Sequence, residues 1–351
     1  MSVARRRLSR RLFAVSAATS LVLLTGACGS GDDQAESTGA SGGGAFPVSI
    51  KSALGTATIK SEPKRVVTLG QGSAETAIAL GHTPVGIEEY AWGSDKSGYL
   101  PWIREAVKKK GDELPQQFKG GEQLDIEAIT ELRPDVILAP WSGITAKQYD
   151  LLKDIAPTVA YPDKAWSTDW DQQIDLVAKA LGQPKQADKL IGDIKDQLAA
   201  AAEKRPEYAK HQFSYIYNTG PGTLGVFSTT EQRVVMVKSL GLKVDPVVST
   251  FKETEGTDSS LIGLENADKL DKSDLLFTFY SDAKNRKEIE AQPLYAAMPA
   301  VKKGALVHSA DNSFVTASSM LNPLTVPWSI ERYLPLIDKA IDKADKYAPR
   351  D

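Results

Sequence analysis

The strongest chemical signal in this sequence is a set of aromatic residues that fall just after predicted strands. Tyr90 and Trp92 follow one strand, Trp141 follows "VILAP", and Trp166 and Trp170 follow another. Further on, Tyr217 and Phe227 flank a glycine-rich loop, Tyr280 follows "LLFTF", and Phe314 lies beyond His308. Loops at the carboxyl ends of strands in α/β lobes gather around a ligand crevice. Loop packing accounts for any one of these residues as well as binding does; their recurrence at strand ends makes the set more persuasive than its members. Aromatic faces in a cleft suit a large, rigid, partly apolar ligand, and Arg233, near a predicted helix start, can contact anionic or acceptor oxygens.

Other chemistries lack their usual anchors. "LGQGSAE" follows a strand and opens a helix, and Gly70 and Gly72 supply two glycines of a dinucleotide fingerprint, but Glu75 occupies the third position and would repel a pyrophosphate. The chain has neither a G-x-S-x-G elbow nor a G-x-x-x-x-G-K-[ST] phosphate loop. His82, His211 and His308 stand far apart in sequence, so no bare-metal site is expected. An exported enzyme acting on cell-wall or sugar substrates would need two facing carboxylates or a nucleophile. The many acids leave that reading open, as they do a structural or adhesive role.

The elements that must position these residues read as an alternation of strands and helices. Strands are predicted at 65–69, 84–87, 135–139 and 158–161, with helices at 73–80 and 125–132, the latter capped by Asp125. Between 169 and 208 the pattern changes to two helices broken at Gly182-Gln183-Pro184. The second is about 30 Å long, enough to bridge two lobes. Alternation then resumes, with strands at 212–217, 274–279 and 305–308, a helix at 230–240 and a last helix at 324–347 bearing Pro327 and Pro335. The fold class is therefore α/β, with two Rossmann-like lobes joined by a long rigid helix and a ligand cleft between them. The expected segments are an N-terminal lobe at 46–168, a helical segment at 169–208 and a C-terminal lobe at 209–351.

The start of the chain is of a different kind. Arg5, Arg6, Arg7, Arg10 and Arg11 precede an apolar run from Leu12 to Leu24, the layout of a secretory signal. Thr25-Gly26-Ala27-Cys28 resembles the lipobox of bacterial lipoproteins, with Thr25 where leucine is commoner; this makes the chain's single cysteine, Cys28, a lipid anchor. Ser9-Arg10-Arg11-Leu12-Phe13 resembles a twin-arginine export signal, so either that route or the Sec route is open. Residues 1–27 are expected to be the signal peptide and 28–45 a flexible Gly/Ser/Ala-rich tether. The net charge of −3 becomes more negative without the leader arginines, which argues against a nucleic-acid partner.

Over roughly residues 64–336 the chain resembles the substrate-binding lipoproteins of ABC importers for ferric siderophores, haem and cobalamin. The resemblance is carried by "PKRVVTLGQGSAETAIALGHTPVGI", "LDIEAITELRPDVILA" and "PLYAAMPAVKKGALV". It implies a shallow cleft with modest closure, no catalysis, no cofactor of its own, and a position on the extracytoplasmic face of the cell membrane. It also implies delivery to an ABC permease dimer with its ATPase, with Glu127 in "LDIE" and Glu265 in "GLE" meeting permease arginines. Acids in first helical turns are equally favoured by the helix dipole alone. Tyr90, Trp92, Trp141, Ser142, Tyr217, Phe227, Arg233, Tyr280, Asn312 and Phe314 are the expected ligand contacts. They suit an iron(III) chelate of hydroxamate or mixed type, with haem or cobalamin as alternatives. A triply anionic catecholate would call for several cleft arginines, and beyond Arg233 the loops offer few.

Overall fold

The short runs Val66–Thr68, Val136–Leu138 and Thr158–Val159 become fully buried strands, and Asp125 and Thr145 each open a helix with a side chain that accepts a free backbone N–H. The computed structural model describes residues 45–255 and 257–346. The leader, Cys28 and the tether up to residue 44 lie outside the described residues.

The first lobe opens with an antiparallel hairpin, β1 (Val48–Lys51) and β2 (Thr56–Ile59). There follow β3 (Val66–Thr68), α1 (Ser73–Ala79), β4 (Gly86–Glu88), α2 (Pro101–Lys110), β5 (Gln116–Phe118), α3 (Ile126–Glu131), β6 (Val136–Leu138), α4 (Ala146–Ile155) and β7 (Thr158–Val159). The five strands β3 to β7 form a parallel sheet in the order β5-β4-β3-β6-β7. The chain therefore reverses its direction of progress between β3 and β6, the switch point where α/β sheets open a crevice. Asp125 caps α3 by accepting the Ala128 N–H at 3.0 Å, as its place in the sequence predicts.

Helix α5 (Trp170–Ala180) ends at Gly182, whose φ of +73° suits glycine, and Pro184 opens α6 (Pro184–Glu203). Ala187, Ile194, Leu198 and Ala201 bury one face of α6. That face packs against α5 on one side and against two helices of the second lobe on the other.

The second lobe contains β8 (Gln212–Tyr217), β9 (Gly225–Phe227), α7 (Gln232–Ser239), β10 (Lys243–Val244), β11 (Ser259–Leu261) and β12 (Leu275–Phe277). After them come α8 (Ala283–Glu290), α9 (Pro293–Ala297), α10 (Pro299–Lys303), β13 (Leu306–Val307), α11 (Asn312–Ala317) and α12 (Thr325–Lys346). Its sheet runs β11-β9-β8-β12-β13, with β10 also on β8. This lobe is mixed rather than a second parallel sheet, because β9 turns back antiparallel to β8 and pairs with β11. Tyr217 at the end of β8 and Phe227 at the end of β9 thus flank the glycine loop, as expected. Helix α7 starts two residues later than its pattern predicts, because Glu231 is spent as its cap, accepting the Arg233 N–H.

One apolar cluster runs from Ile50 and Val66 through Ile174, Ile194 and Leu198 to Phe213, Phe277 and Ile337, so the core is continuous along α6. A second bridge lies elsewhere: Trp328 of α12 meets Trp102 of α2 with ring centroids 5.4 Å apart, and Ala317 of α11 joins the same cluster. Ser313 adds a 2.8 Å hydrogen bond to the Gly93 carbonyl. Contacts on more than one side favour small lobe motions over wide hinge opening.

Candidate functional site

The floor of the crevice is built by the loops after β3, β4, β6 and β7. Gly70 takes a φ of +70°, and a Cβ there would collide with the Trp141 carbonyl oxygen, so glycine lets the β3 and β6 loops touch. Gly72 likewise has a positive φ, and its N–H donates to the Glu75 carboxylate at 3.0 Å. The place a phosphate would take in a dinucleotide site is filled by this protein's own acid. Trp166, at a φ of 62°, sets its ring edge-on to Trp141 with centroids 4.8 Å apart. Tyr90 and Trp92 are each 36 % exposed. Below Tyr90 and Trp166 a cavity of about 60 Å3 sinks between Ala74, Ile87, Leu100 and Ile103.

The opposite wall belongs to the second lobe and centres on Arg233. Its guanidinium carbon lies 4.0 Å from the centroid of Phe227, 5.8 Å from Phe279 and 5.9 Å from Tyr215, within reach of cation–π attraction. Glu231 is the counter-ion, with Oε1 3.1 Å from Arg233 Nε, yet the Nε–H has no aligned protein acceptor. Burial pushes the Glu231 carboxyl up to about 7 despite the pull of Arg233. Burial works against the Arg233 charge, but Glu231, Tyr215, Asp258 and Tyr90 together hold its pKa above the ordinary value. Gly93, on the first-lobe loop that carries Tyr90, accepts the Ser313 hydroxyl of the second lobe, which marks where the two walls meet. Tyr217 stacks at 4.9 Å on Phe227 and shares a 2.9 Å hydrogen bond with Ser259.

The remaining expected contacts divide. Trp141 is half-buried at the crevice, and Asn312, half-buried, opens α11. Four others sit beneath the surface rather than on it. Ser142 is buried, its hydroxyl donating to the Ala139 carbonyl at 2.8 Å to hold the turn after β6. Phe227 presents its face to Arg233 from inside the wall. Tyr280 is buried with its hydroxyl 3.0 Å from that of Tyr295, and Phe314 packs edge-on against Tyr333 in the core. Strand-end position places a residue near the cleft, but which face it takes depends on packing that sequence does not display.

Residues the sequence reading missed are Tyr215, Phe279, Glu75 and Glu88. Glu88 sits in "GIEEY" at the end of β4, and an acid leading straight into an aromatic loop was the available signal. Glu127 and Glu265 are both exposed. The first lies in the opening turn of α3, just beyond β5, and the second opens the short helix Leu264–Leu270, where the Leu264 N–H reaches the Gly222 carbonyl in the β8–β9 turn. Among the described residues no three His, Cys, Asp or Glu side chains are placed to hold a metal ion.

Two α/β lobes bridged by one long helix, with an aromatic cleft containing a single boxed arginine, define a two-lobed ligand-binding protein. The chain belongs to the periplasmic binding protein family, whose profile matches residues 66–312. Among solved structures it is similar to PiaA of Streptococcus pneumoniae TIGR4 in complex with ferrichrome, at 31 % identity and a TM-score of 0.76 over 84 % of this chain and 99 % of that one. It is 28 % identical over 316 residues to the probable siderophore-binding lipoprotein YfiY of Bacillus subtilis, covering 85 % of this chain and 90 % of that protein. It is 27 % identical over 269 residues to the ferric enterobactin-binding periplasmic protein FepB of Escherichia coli, covering 73 % of this chain and 82 % of that protein.

Proposed function

We propose that this protein is the substrate-binding component of an ABC importer, capturing a ferric siderophore of hydroxamate or mixed type and presenting it to a permease for iron uptake. The observation that carries this reading is the Arg233 box. A cation is held among Phe227, Phe279 and Tyr215 on the second-lobe wall, with 18 % of its side chain still exposed. Such a group can donate to the chelating oxygens of an iron complex while aromatic faces cover its apolar surface. One boxed arginine already balanced by Glu231 suits a chelate of low charge better than a triply anionic catecholate. The ferrichrome held by PiaA and the probable siderophore binding of YfiY support the siderophore class.

In this reading residues 46–168 and 209–351 are the two lobes, and Cys28 carries a lipid that holds the protein at the extracytoplasmic face of the membrane. No helix among the described residues is long and apolar enough to cross a bilayer. Glu127 and Glu265, one on each lobe, are the proposed docking points for a permease dimer with its ATPase. The test is a tryptophan-fluorescence titration of the chain from residue 29 onward against ferric hydroxamates, ferric catecholates, ferric citrate, haem, cobalamin and the iron-free siderophores. Saturable, stoichiometric quenching by a ferric hydroxamate, weaker for its iron-free form, is the expected result. Saturation by haem or cobalamin alone moves the ligand within the family, and no response across the panel sinks the reading.

A further inference from the structure

The cavity under Tyr90 and Trp166 differs in charge from the wall it faces. Glu75, Glu88 and Glu89 all line it, and its lining contains no Lys, Arg or His. Glu75 is 2 % exposed and accepts the Trp102 indole N–H at 2.9 Å and the Gly72 N–H at 3.0 Å. Glu88 accepts the Gly70 N–H at 2.8 Å through Oε2. Every one of these donors is a neutral N–H, so two sheltered carboxyls stand in a cavity without a counter-charge. Burial accordingly pushes both carboxyls above their ordinary range. Across the cleft the corresponding group is a cation, Arg233.

Size and wall chemistry narrow the occupant. About 60 Å3 holds no more than a few water molecules, so only the tip of a ligand enters and the chelate itself stays in the cleft above. Ala74, Ile87, Leu100 and Ile103 form an apolar sleeve that offers nothing to a bare hydrated ion but suits methylene groups. An ammonium group is compact and carries three donors for carboxylate and hydroxyl acceptors, of which Thr68 at the cavity supplies a further one.

We infer that this cavity is a subsite for the protonated primary amine on an alkyl arm of the siderophore, with Glu88 as the principal acceptor and Glu75 behind it. This rests on the receptor reading above and narrows its substrate class. The preferred ligand is a ferric hydroxamate carrying a free aminoalkyl arm, lying with its acceptor-rich face toward Arg233 and its cationic arm toward Glu88. The polarity of the cleft fixes orientation and disfavours polyanionic chelates.

The experiment titrates the wild type, Glu88→Gln and Glu75→Gln with three probes. These are a linear ferric trihydroxamate ending in a primary amine, the same chelate N-acetylated, and a neutral cyclic ferric trihydroxamate. The wild type should bind the amine form about tenfold more tightly than the acetylated form, and Glu88→Gln should bring that ratio close to one. Acetylation changes the ligand alone, so the wild-type comparison stands even where a variant folds poorly. Equal wild-type affinity for the two linear chelates overturns the subsite while leaving the receptor reading intact. A preference for the amine that survives in both variants also overturns it, because the cation then binds elsewhere. No saturable binding of any ferric trihydroxamate by the folded wild type overturns the subsite and the receptor reading together.

Discussion

The guanidinium carbon of Arg233 stands 4.0 Å from the centroid of the Phe227 ring, the shortest of its three aromatic approaches. The contact is possible because β9 runs antiparallel to β8 and sets Phe227 beside the start of α7. Replacing Arg233 by Ala removes the cation together with its N–H donors, and ferric-chelate affinity should fall by about tenfold to a hundredfold. Phe227→Leu keeps an apolar side chain but loses the ring face, a cost of about 0.5–2 kcal/mol that should appear in both affinity and thermal midpoint. Unchanged affinity in Arg233→Ala would remove this residue from the site.

Glu231 should give the protein a particular pH response. Its folded-state pKa is raised to about 7 by burial, above the value near 4.5 expected in the unfolded chain. Between those values the folded state holds the proton that the unfolded state has released, so this group's contribution to stability falls as pH rises from about 4.5 through 7. Denaturant unfolding of wild type and Glu231→Gln at a series of pH values isolates the effect. The wild type should lose ground to the variant by an amount on the order of 3 kcal/mol between pH 4.5 and pH 8. A flat difference would mean that Arg233 keeps Glu231 ionised throughout.

How much of this was legible in the sequence depended on how local each signal was. The strands β3, β6, β8 and β12, the Asp125 cap and the 20 residues of α6 follow from runs of neighbouring residues, and the structure places them within a few positions of their predicted bounds. The hairpin β1–β2 and the antiparallel return of β9 were missed although each pairs with its neighbour along the chain, because strands of four and three residues are too short to show a period. In the site, Tyr90, Trp92 and Tyr217 lie where strand-end logic puts them, and Arg233 lies in the first turn of α7, near the helix start expected for it. Ser142, Tyr280 and Phe314 share that logic yet turn inward, because the Ala139 carbonyl, Tyr295 and Tyr333 each offer them a buried partner. Glu75 was read only as hostile to phosphate and not as a site residue, since its bond to Trp102, 27 residues on, had no local trace.

The loop contact at Gly70 has a simple test. A Cβ there meets the Trp141 carbonyl oxygen, and the positive φ is itself unfavourable for an L-residue. Gly70→Ala should cost about 1–3 kcal/mol in stability and, by pushing the β6 loop away, weaken ligand binding as well. Chemical unfolding and ligand titration of the same variant measure both, and a variant as stable as the wild type would show that the two loops are free to part.

Trp102 links the cavity to the contact between the lobes, holding Glu75 through its indole N–H and packing on Trp328 through its ring. The two roles separate by substitution. Trp102→Phe retains an aromatic ring against Trp328 but leaves the buried Glu75 carboxyl short of one donor, a loss of about 1–3 kcal/mol. Trp102→Ala empties the site as well and should cost about 3–5 kcal/mol. If the two variants were equally destabilised in denaturant unfolding, packing on Trp328 would contribute nothing of its own.

Glu127 and Glu265 are exposed, lie one on each lobe beyond the carboxyl ends of β5 and β8, and form no ion pair among the described residues. Exposed acids of this kind contribute little to folding, so their removal should leave the thermal midpoint almost unmoved. Charges at the rim of an interface instead set encounter rate and register with a partner of opposite sign. The double variant Glu127→Ala/Glu265→Ala should therefore keep wild-type ligand affinity in the titration while failing to restore iron uptake to cells that lack the wild-type protein. On the docking proposal either single variant should retain partial uptake, because one acid is left to meet the permease. Loss of ligand binding in the double variant would place these residues in the cleft, and full uptake would remove them from docking.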